Sequence, residues 1–212
     1  MSRHIKSASL VLLFAATLLL GIQAAEATVL GFEDITQGNE GMPINSDYAG
    51  FVWDSNFYAI PEGNYGSANR PFPSSSKAVF NGYGVLTTTV TRSTNFDFNG
   101  AYFLPWLDQN YNTGEIYVSE WGSTTITMKG YNGSTLVGNV TRTLTNDWTY
   151  CSAELYGINR LELIASQEQR WWLMDNFTYN AEQTVVPEPA TMFLFGIGGI
   201  ATSLLRRKKK LS

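Results

Sequence analysis

The feature that most constrains this chain is the absence of helical periodicity in its long middle part, from Thr28 to Asn180. Short runs rich in Val, Thr, Tyr, Phe and Trp are separated there by Gly, Asn and Pro, a pattern typical of strands and turns. These runs predict eleven strands: Thr28–Glu33, Gly50–Trp53, Ala78–Phe80, Val85–Thr91, Asn95–Leu104, Glu115–Trp121, Thr124–Tyr131, Thr135–Leu144, Thr149–Leu155, Arg160–Ala165 and Trp171–Tyr179.

So many short strands in one domain predict an all-β fold of two packed sheets, a sandwich of the jelly-roll type. Asn132-Gly133 predicts the clearest hairpin, because a type I′ turn needs positive φ at both of its central residues. Asp54–Ser76 and Trp106–Thr113 lack periodicity, and we expect them to be long irregular loops.

The C-terminal tail contains three segments in a fixed order. Pro187, Glu188 and Pro189 come first, and the prolines predict a short extended break because neither continues a helix from its N-terminal side. The uncharged run 190–205 follows, and as a helix its 16 residues span about 24 Å, somewhat less than a hydrocarbon core of roughly 30 Å. The basic residues 206–210 then favour a cytoplasmic C-terminus. The pattern predicts a single transmembrane helix, and a plain tail anchor is one interpretation of it.

This order of segments resembles the PEP-CTERM sorting signal, found on exported proteins of Gram-negative bacteria that make exopolysaccharide. The resemblance covers residues 186–210, about an eighth of the chain. It implies processing by an exosortase, a membrane-embedded enzyme similar to cysteine transpeptidases, which reads the signal and cuts near it. We therefore expect transient anchoring in the inner membrane, then delivery to the cell surface or the extracellular matrix. The residues of this sorting signal are Pro187, Glu188, Pro189, Arg206, Arg207 and Lys208.

The N-terminus predicts a signal peptide for the Sec translocon. Arg3, His4 and Lys6 form its positive region, the run 8–22 is apolar, and small residues precede a cleavage site before Thr28. An uncleaved N-terminal anchor is the alternative. The predicted organisation is a signal peptide over 1–27, a β-sandwich ectodomain over 28–180, and a linker with the sorting signal over 181–212.

Charge excludes one class of partner. Of the 14 basic residues seven lie in the two terminal signals, whereas one of the 18 acidic residues precedes the predicted cleavage site, which leaves residues 28–188 with a net charge of −10. A surface this acidic repels phosphate backbones, so we expect no nucleic-acid partner.

The predicted mature domain lacks the usual nucleophile and base pairs. The sole histidine of the chain, His4, lies in the predicted signal peptide, so the mature domain has none, which excludes Ser-His-Asp and Cys-His catalysis and His-containing zinc sites. Cys151 is the single cysteine, and its apolar neighbours predict a buried strand thiol. Glu115 and Glu120 share a predicted strand but are five residues apart, so they point to opposite faces and do not form a glycosidase pair.

Short motifs along the ectodomain give a second resemblance. They are Gly31-Phe32-Glu33-Asp34, Tyr48-Ala49-Gly50-Phe51-Val52-Trp53, Phe96-Asp97-Phe98-Asn99-Gly100-Ala101, a Gly-Tyr-Asn-Gly hairpin and Met174-Asp175-Asn176-Phe177. The set resembles jelly-roll ectodomains common among PEP-CTERM proteins and is similar in outline to carbohydrate-binding modules of galactose-binding-like fold.

The second resemblance implies a structural Ca²⁺ between the first and last strands. Glu33 or Asp34 matches the first position and Asp175 the second, and calcium prefers such oxygen ligands at about 2.3–2.6 Å. A cation there would stabilise a chain that cannot form an internal disulfide. The alternative is that these carboxylates are solvated or accept hydrogen bonds from backbone amides.

Aromatic residues in the predicted loops form the candidate sugar site. Trp106 and Tyr111 offer rings that stack on a pyranose, and Asp108 and Asn110 offer hydrogen-bonding partners for its hydroxyls. The remaining tryptophans are predicted to pack in the core, except that one of the adjacent pair 171–172 must lie outside it. The tryptophans predicted for the core are Trp53, Trp121, Trp148 and one of Trp171 and Trp172.

The sequence thus predicts an exported, non-catalytic surface or exopolysaccharide-matrix protein that binds carbohydrate weakly. The first alternative is a purely structural or adhesive protein without a small ligand. A carboxylate-based glycoside hydrolase is a more distant alternative.

Overall fold

The computed structural model describes residues 27–36, 42–63, 70–166 and 170–181, and within them the regular structure is strands and two short 3₁₀ turns. The turns are Tyr48–Gly50 and Gly82–Gly84. The strands are β1 Thr28–Leu30, β2 Met42–Pro43, β3 Val52–Trp53, β4 Phe57–Pro61, β5 Lys77–Asn81, β6 Thr87–Pro105, β7 Leu107–Gln109, β8 Ile116–Val118, β9 Thr125–Asn132, β10 Thr135–Thr143, β11 Thr149–Ala165 and β12 Trp172–Ala181.

Two long strands, β6 and β11, take part in both layers of the fold. The N-terminal part of β6 and the C-terminal part of β11 belong to layer one, whose order is β10-β9-β11-β6-β3. The other halves belong to layer two, where β11 and β6 are followed by β12, β5, β4 and β2, and β1 pairs with the end of β12. All these pairs are antiparallel, and the predicted all-β sandwich is confirmed.

The two long strands, β6 and β11, pass from one layer to the other without ending. The pairing of β11 with β6 shifts register between Ser152 and Leu155 and again near Ile158, and Glu154 and Gly157 adopt positive φ there. Such bulges bend a strand and redirect its side chains. The sequence predicted two strands for β6 and two for β11, because the hydrophobic alternation is interrupted where each strand passes from one layer to the other.

The main hydrophobic core lies between the two layers. Met128 and Leu163 project into it from layer one, and Phe103 and Met174 from layer two, all fully buried. Phe177 lies at its aromatic centre, where its ring is 4.8 Å from that of Phe98 and 5.4 to 6.0 Å from three further aromatic rings. Burial of this apolar surface is the main source of stability.

Layer two has a second apolar cluster on its outer face. The small β7–β8 hairpin covers this face at one end, where Leu107 joins the cluster. Burial on both faces explains why three consecutive residues are apolar in each of β5 and β12, Ala78–Phe80 and Trp172–Met174. The buried members are Ile60, Phe72, Ala78, Phe80, Leu104, Leu107 and Leu173.

Three local predictions need correction. The region Asp54–Ser76 contains β4, and Trp106–Thr113 contains β7, so neither is irregular throughout. In the β9–β10 hairpin Asn132 pairs with Thr135, so the loop residues are Gly133 and Ser134. Of these two only Gly133 has positive φ, as in a type II′ turn and not the predicted type I′.

The predicted signal peptide, linker and sorting signal lie outside the described residues. Within the described ranges no helix is long and apolar enough to cross a membrane. The assignment of 190–205 as a transmembrane helix therefore stays a prediction.

Candidate functional site

Three tryptophans line an open pocket of about 340 Å³ at the edge of the outer cluster. Trp106 and Trp171 are half-buried, and their ring centroids are 5.3 Å apart. Trp121 is 60% exposed and faces the same space. Trp171 also lies nearly parallel to the buried Phe80, with the centroids 5.9 Å apart. The result is a concave aromatic surface open to solvent on one side.

Backbone hydrogen bonds join the main-chain segments that carry the three indoles. The amide of Trp171 donates to the carbonyl of Trp121 at 2.9 Å, and the amide of Trp106 donates to the carbonyl of Trp171 at 3.2 Å. Gly122 permits this approach, because a Cβ there would lie 2.3 Å from the carbonyl oxygen of Trp106. The backbone around the pocket is therefore fixed by main-chain contacts, so a ligand would not have to order it.

The tryptophan predictions have mixed outcomes. Trp53 and Trp172 are buried in the main core and Trp171 lies outside it, as the alternation of the pair required. The core assignment of Trp121 is wrong. Its strand ends at Val118, and the following turn directs Trp121 outward, so strand parity no longer applies.

Trp148 also departs from a full core position. It is half-buried and packs on the outer cluster, with its ring edge-on to Phe72 at 5.6 Å. It therefore helps to close this cluster.

The other predicted sugar-site residues lie in the small β7–β8 hairpin that follows Trp106. Asp108 is half-buried in β7, opposite Tyr117. Asn110 lies in the β7–β8 turn, where its side-chain oxygen accepts hydrogen bonds from two backbone amides at 3.0 and 3.3 Å. Tyr111 is 88% exposed at the same turn. Trp106 also shares a pocket with Trp121 and Trp171, a grouping that the predicted strands did not indicate.

Cys151 is fully buried in the main core, as predicted. Burial raises the pKa of its thiol to about 11, although the charge of Arg142 acts in the opposite direction. The thiol is therefore protonated at neutral pH and is a poor nucleophile.

A second polar group of interest surrounds Ser74, where the first and last strands meet. The carboxylate of Asp175 is buried, and it accepts hydrogen bonds from the amides of Ser74 at 2.8 Å and Asn176 at 2.6 Å. Burial raises the pKa of Asp175 to about 6, and these hydrogen bonds only partly offset it.

Glu33 reaches the same serine from the other side. Its carboxylate accepts hydrogen bonds from the hydroxyl groups of Ser74 and Ser76 and from the amides of Ser76 and Lys77. Burial acts to raise the pKa of Glu33, but these hydrogen bonds outweigh it and lower the pKa below its ordinary value. Glu33 is thus held as a carboxylate beside the buried Asp175.

The oxygen atoms around Ser74 are of the kind that bind a hard cation. Its hydroxyl also lies 2.9 Å from the carbonyl oxygen of Gly31 and 3.3 Å from that of Lys77, so two carboxylates, two carbonyls and a hydroxyl gather there. Calcium prefers such oxygen ligands. Within the described ranges no three Asp, Glu, His or Cys residues form a metal-binding group, so main-chain oxygens would have to complete the shell.

The structure gives Asp34, the alternative to Glu33, a different neighbour. Its Oδ1 accepts a hydrogen bond from the hydroxyl group of Tyr48 at 2.6 Å. Of the two predicted first-strand carboxylates, it is therefore Glu33 that meets Asp175 at Ser74.

The comparisons with known proteins identify the tail and give a distant likeness for the domain. Residues 185–209 match the PEP-CTERM protein-sorting motif, which confirms the predicted signal. The chain is therefore an exported protein with an exosortase as its processing partner. No match was found among curated proteins.

Two solved structures are similar to the sandwich. A DUF4465 family protein from Bacteroides caccae has 12% identity and a TM-score of 0.47, over 74% of this chain and 100% of that one. The GH31 CBM32-2 module bound to GalNAc has 14% identity and a TM-score of 0.31, over 76% of this chain and 100% of that one. Both scores are below 0.5, so neither likeness supports an inference about ligands.

The buried Asp175 predicts a measurable pH dependence. Its pKa is about 6 in the folded state against an ordinary 3.8, so the folded state binds more protons between about pH 4 and pH 6. Stability from this group is therefore lost as the pH rises through that window. The free energy of unfolding is measured by urea titration for the wild type and for Asp175→Asn, with a chelator present to remove any bound cation. The wild-type value minus the Asp175→Asn value should fall between pH 4 and pH 6. An equal pH dependence in both proteins would contradict the raised pKa of Asp175.

Proposed function

We propose that the exported domain is a non-catalytic carbohydrate-binding module that binds polysaccharide at the cell surface or in the surrounding matrix. The observation that carries the proposal is the open pocket lined by Trp106, Trp121 and Trp171. Indole faces stack on the apolar faces of pyranose rings, and an indole N–H donates to a hydroxyl.

The shape and destination of the site support sugar as the ligand. The pocket is concave and held by main-chain hydrogen bonds, as ligand sites usually are. The sorting signal directs export, and a Sec signal peptide with exosortase processing would bring the domain to the envelope, where polysaccharide is abundant. A neutral glycan is favoured, since an acidic domain repels polyanions.

A binding role accords with the side chains that are present. The sequence after the predicted signal peptide has no histidine, and the one thiol is buried with a raised pKa. A glycoside hydrolase would need two carboxylates across one sugar-binding cleft. A structural or adhesive protein without a small ligand is the other alternative, and it would not require the concave pocket that the three indoles line.

The Trp121→Ala substitution tests the sugar pocket. The full chain in detergent is run on native gels containing galactomannan, xyloglucan or mixed-linkage β-glucan, with retardation giving the affinity. Loss of one stacking face should weaken binding about 3- to 10-fold. The melting temperature should change by less than about 2 °C, because the side chain is largely exposed.

The matched control is Tyr156→Ala, which removes an aromatic ring that is 58% exposed on β11. It should bind like the wild type. Wild-type protein that is retarded by none of the three glycans would contradict the proposal, as would equal retardation of the wild type and Trp121→Ala.

We infer further that Ca²⁺ binds between the terminal strands, with Glu33, Asp175 and the carbonyl oxygens of Gly31 and Lys77 as ligands. The convergence of these oxygens on Ser74 supports this assignment. Bound calcium would fix β1 to β12 and stabilise the sandwich without any direct part in sugar binding.

Thermal unfolding with calcium and with chelator tests this site. Calcium at 100 times its Kd stabilises a protein by about 2.7 kcal/mol, a rise of about 5–10 °C for a domain of this size. The rise should be lost in Glu33→Gln and Asp175→Ala and kept in Asp34→Asn, whose carboxylate bonds Tyr48. A wild type with the same melting temperature in both buffers would refute the calcium assignment.

A further inference from the structure

Aromatic side chains continue from the tryptophan pocket across the outer face of layer two. Phe80 packs on Trp171, Tyr58 lies 5.7 Å from Phe80, and Tyr83 lies 5.7 Å from Tyr58. Register explains part of the row, because Tyr58 and Phe80 are direct cross-strand partners on β4 and β5. We call the set Trp121, Trp106, Trp171, Phe80, Tyr58 and Tyr83 the aromatic row.

The two ends of the aromatic row are its exposed members. Trp121 is 60% exposed at the pocket, and Tyr83 is 80% exposed at the other end. The ring of Phe80 between them is buried, and Tyr58 is half-buried. The row therefore offers two separate aromatic faces to solvent on one side of the sandwich.

The backbone around Tyr83 holds its ring in the exposed position. Tyr83 has φ of 55°, a left-handed conformation that is unfavourable for a residue with a Cβ. Strain of this kind persists where the surrounding structure fixes it, and it is concentrated at functional sites. Burial of the ring does not explain the conformation, since the ring is largely in solvent.

The two flanking glycines bring this turn directly onto the aromatic row. A Cβ on Gly82 would lie 2.1 Å from the ring of Tyr58, and a Cβ on Gly84 would lie 2.7 Å from Nε1 of Trp171. The turn can therefore lie against both rings only with glycine at these positions. The turn that carries Tyr83 thus lies against Trp171, one of the residues that line the tryptophan pocket.

We propose that Tyr83 forms a second sugar subsite beside the tryptophan pocket, so that the domain binds a polysaccharide chain over at least two sugar residues. This inference rests on the proposed function. One pyranose face matches one aromatic ring, so a single sugar in the pocket leaves Tyr83 unoccupied, whereas the next sugars of a chain can reach it. Two subsites on one surface also raise affinity for the polymer over that for its monomer.

The experiment compares ligands of different length on the full chain in detergent. Whichever of galactomannan, xyloglucan and mixed-linkage β-glucan binds is used to prepare its monosaccharide and its tetrasaccharide, and calorimetry gives the two affinities. Tyr83→Ala should weaken tetrasaccharide binding about 3- to 10-fold and leave monosaccharide binding unchanged. Tyr83→Phe keeps the ring and should bind both ligands like the wild type.

The variants separate failure of this inference from failure of the proposed function. Trp121→Ala should weaken binding of both ligands, and Tyr156→Ala should weaken neither. A tetrasaccharide affinity that Tyr83→Ala leaves unchanged, while Trp121→Ala lowers it, overturns the second subsite alone. Binding of none of the three polysaccharides by the wild type overturns both. An unchanged melting temperature of Tyr83→Ala shows that the fold is intact.

Discussion

The opposite placement of two consecutive tryptophans links the core of this protein to its candidate site. Trp172 points into the main core, where it packs against Phe57 and Phe103, and Trp171 points to the outer face. Buried Asn81 fixes the position, because its side-chain oxygen accepts the amide of Trp172 at 2.9 Å. Because consecutive side chains point to opposite faces, the packing of Trp172 in the core directs Trp171 to the outer face.

The outer face of layer two carries both the second apolar cluster and the proposed sugar site. The β7–β8 hairpin covers one end of it, the tryptophan pocket is open at its edge, and Tyr83 is exposed on the same face. The apolar cluster beneath supports the rings, so little ordering would be needed for the proposed binding of a sugar. The cluster around Ser74 joins different strands, β1 and β12, and its role in the proposed function is stabilisation alone.

Much of the fold could be predicted because alternation and turn residues are local signals. Strands β9 and β10 and the burial of Trp53 followed from them. The pocket could not, since Trp121 follows the end of a strand and meets Trp171 through a contact between distant segments. Likewise, the oxygen cluster depends on Ser74, which is 101 residues from Asp175 in a region without periodicity. The sorting motif was predictable in full, because its recognition requires only the order of segments along the chain.

Oxidative footprinting of the tryptophans by mass spectrometry tests the sugar pocket most directly. In the free protein Trp121 should be oxidised faster than the half-buried Trp106 and Trp171, and the buried Trp172 slowest, in line with their exposure. Saturating polysaccharide should protect Trp121 and leave the oxidation of Tyr156 unchanged. Bound polysaccharide with no protection of Trp121 would contradict the pocket as the binding site.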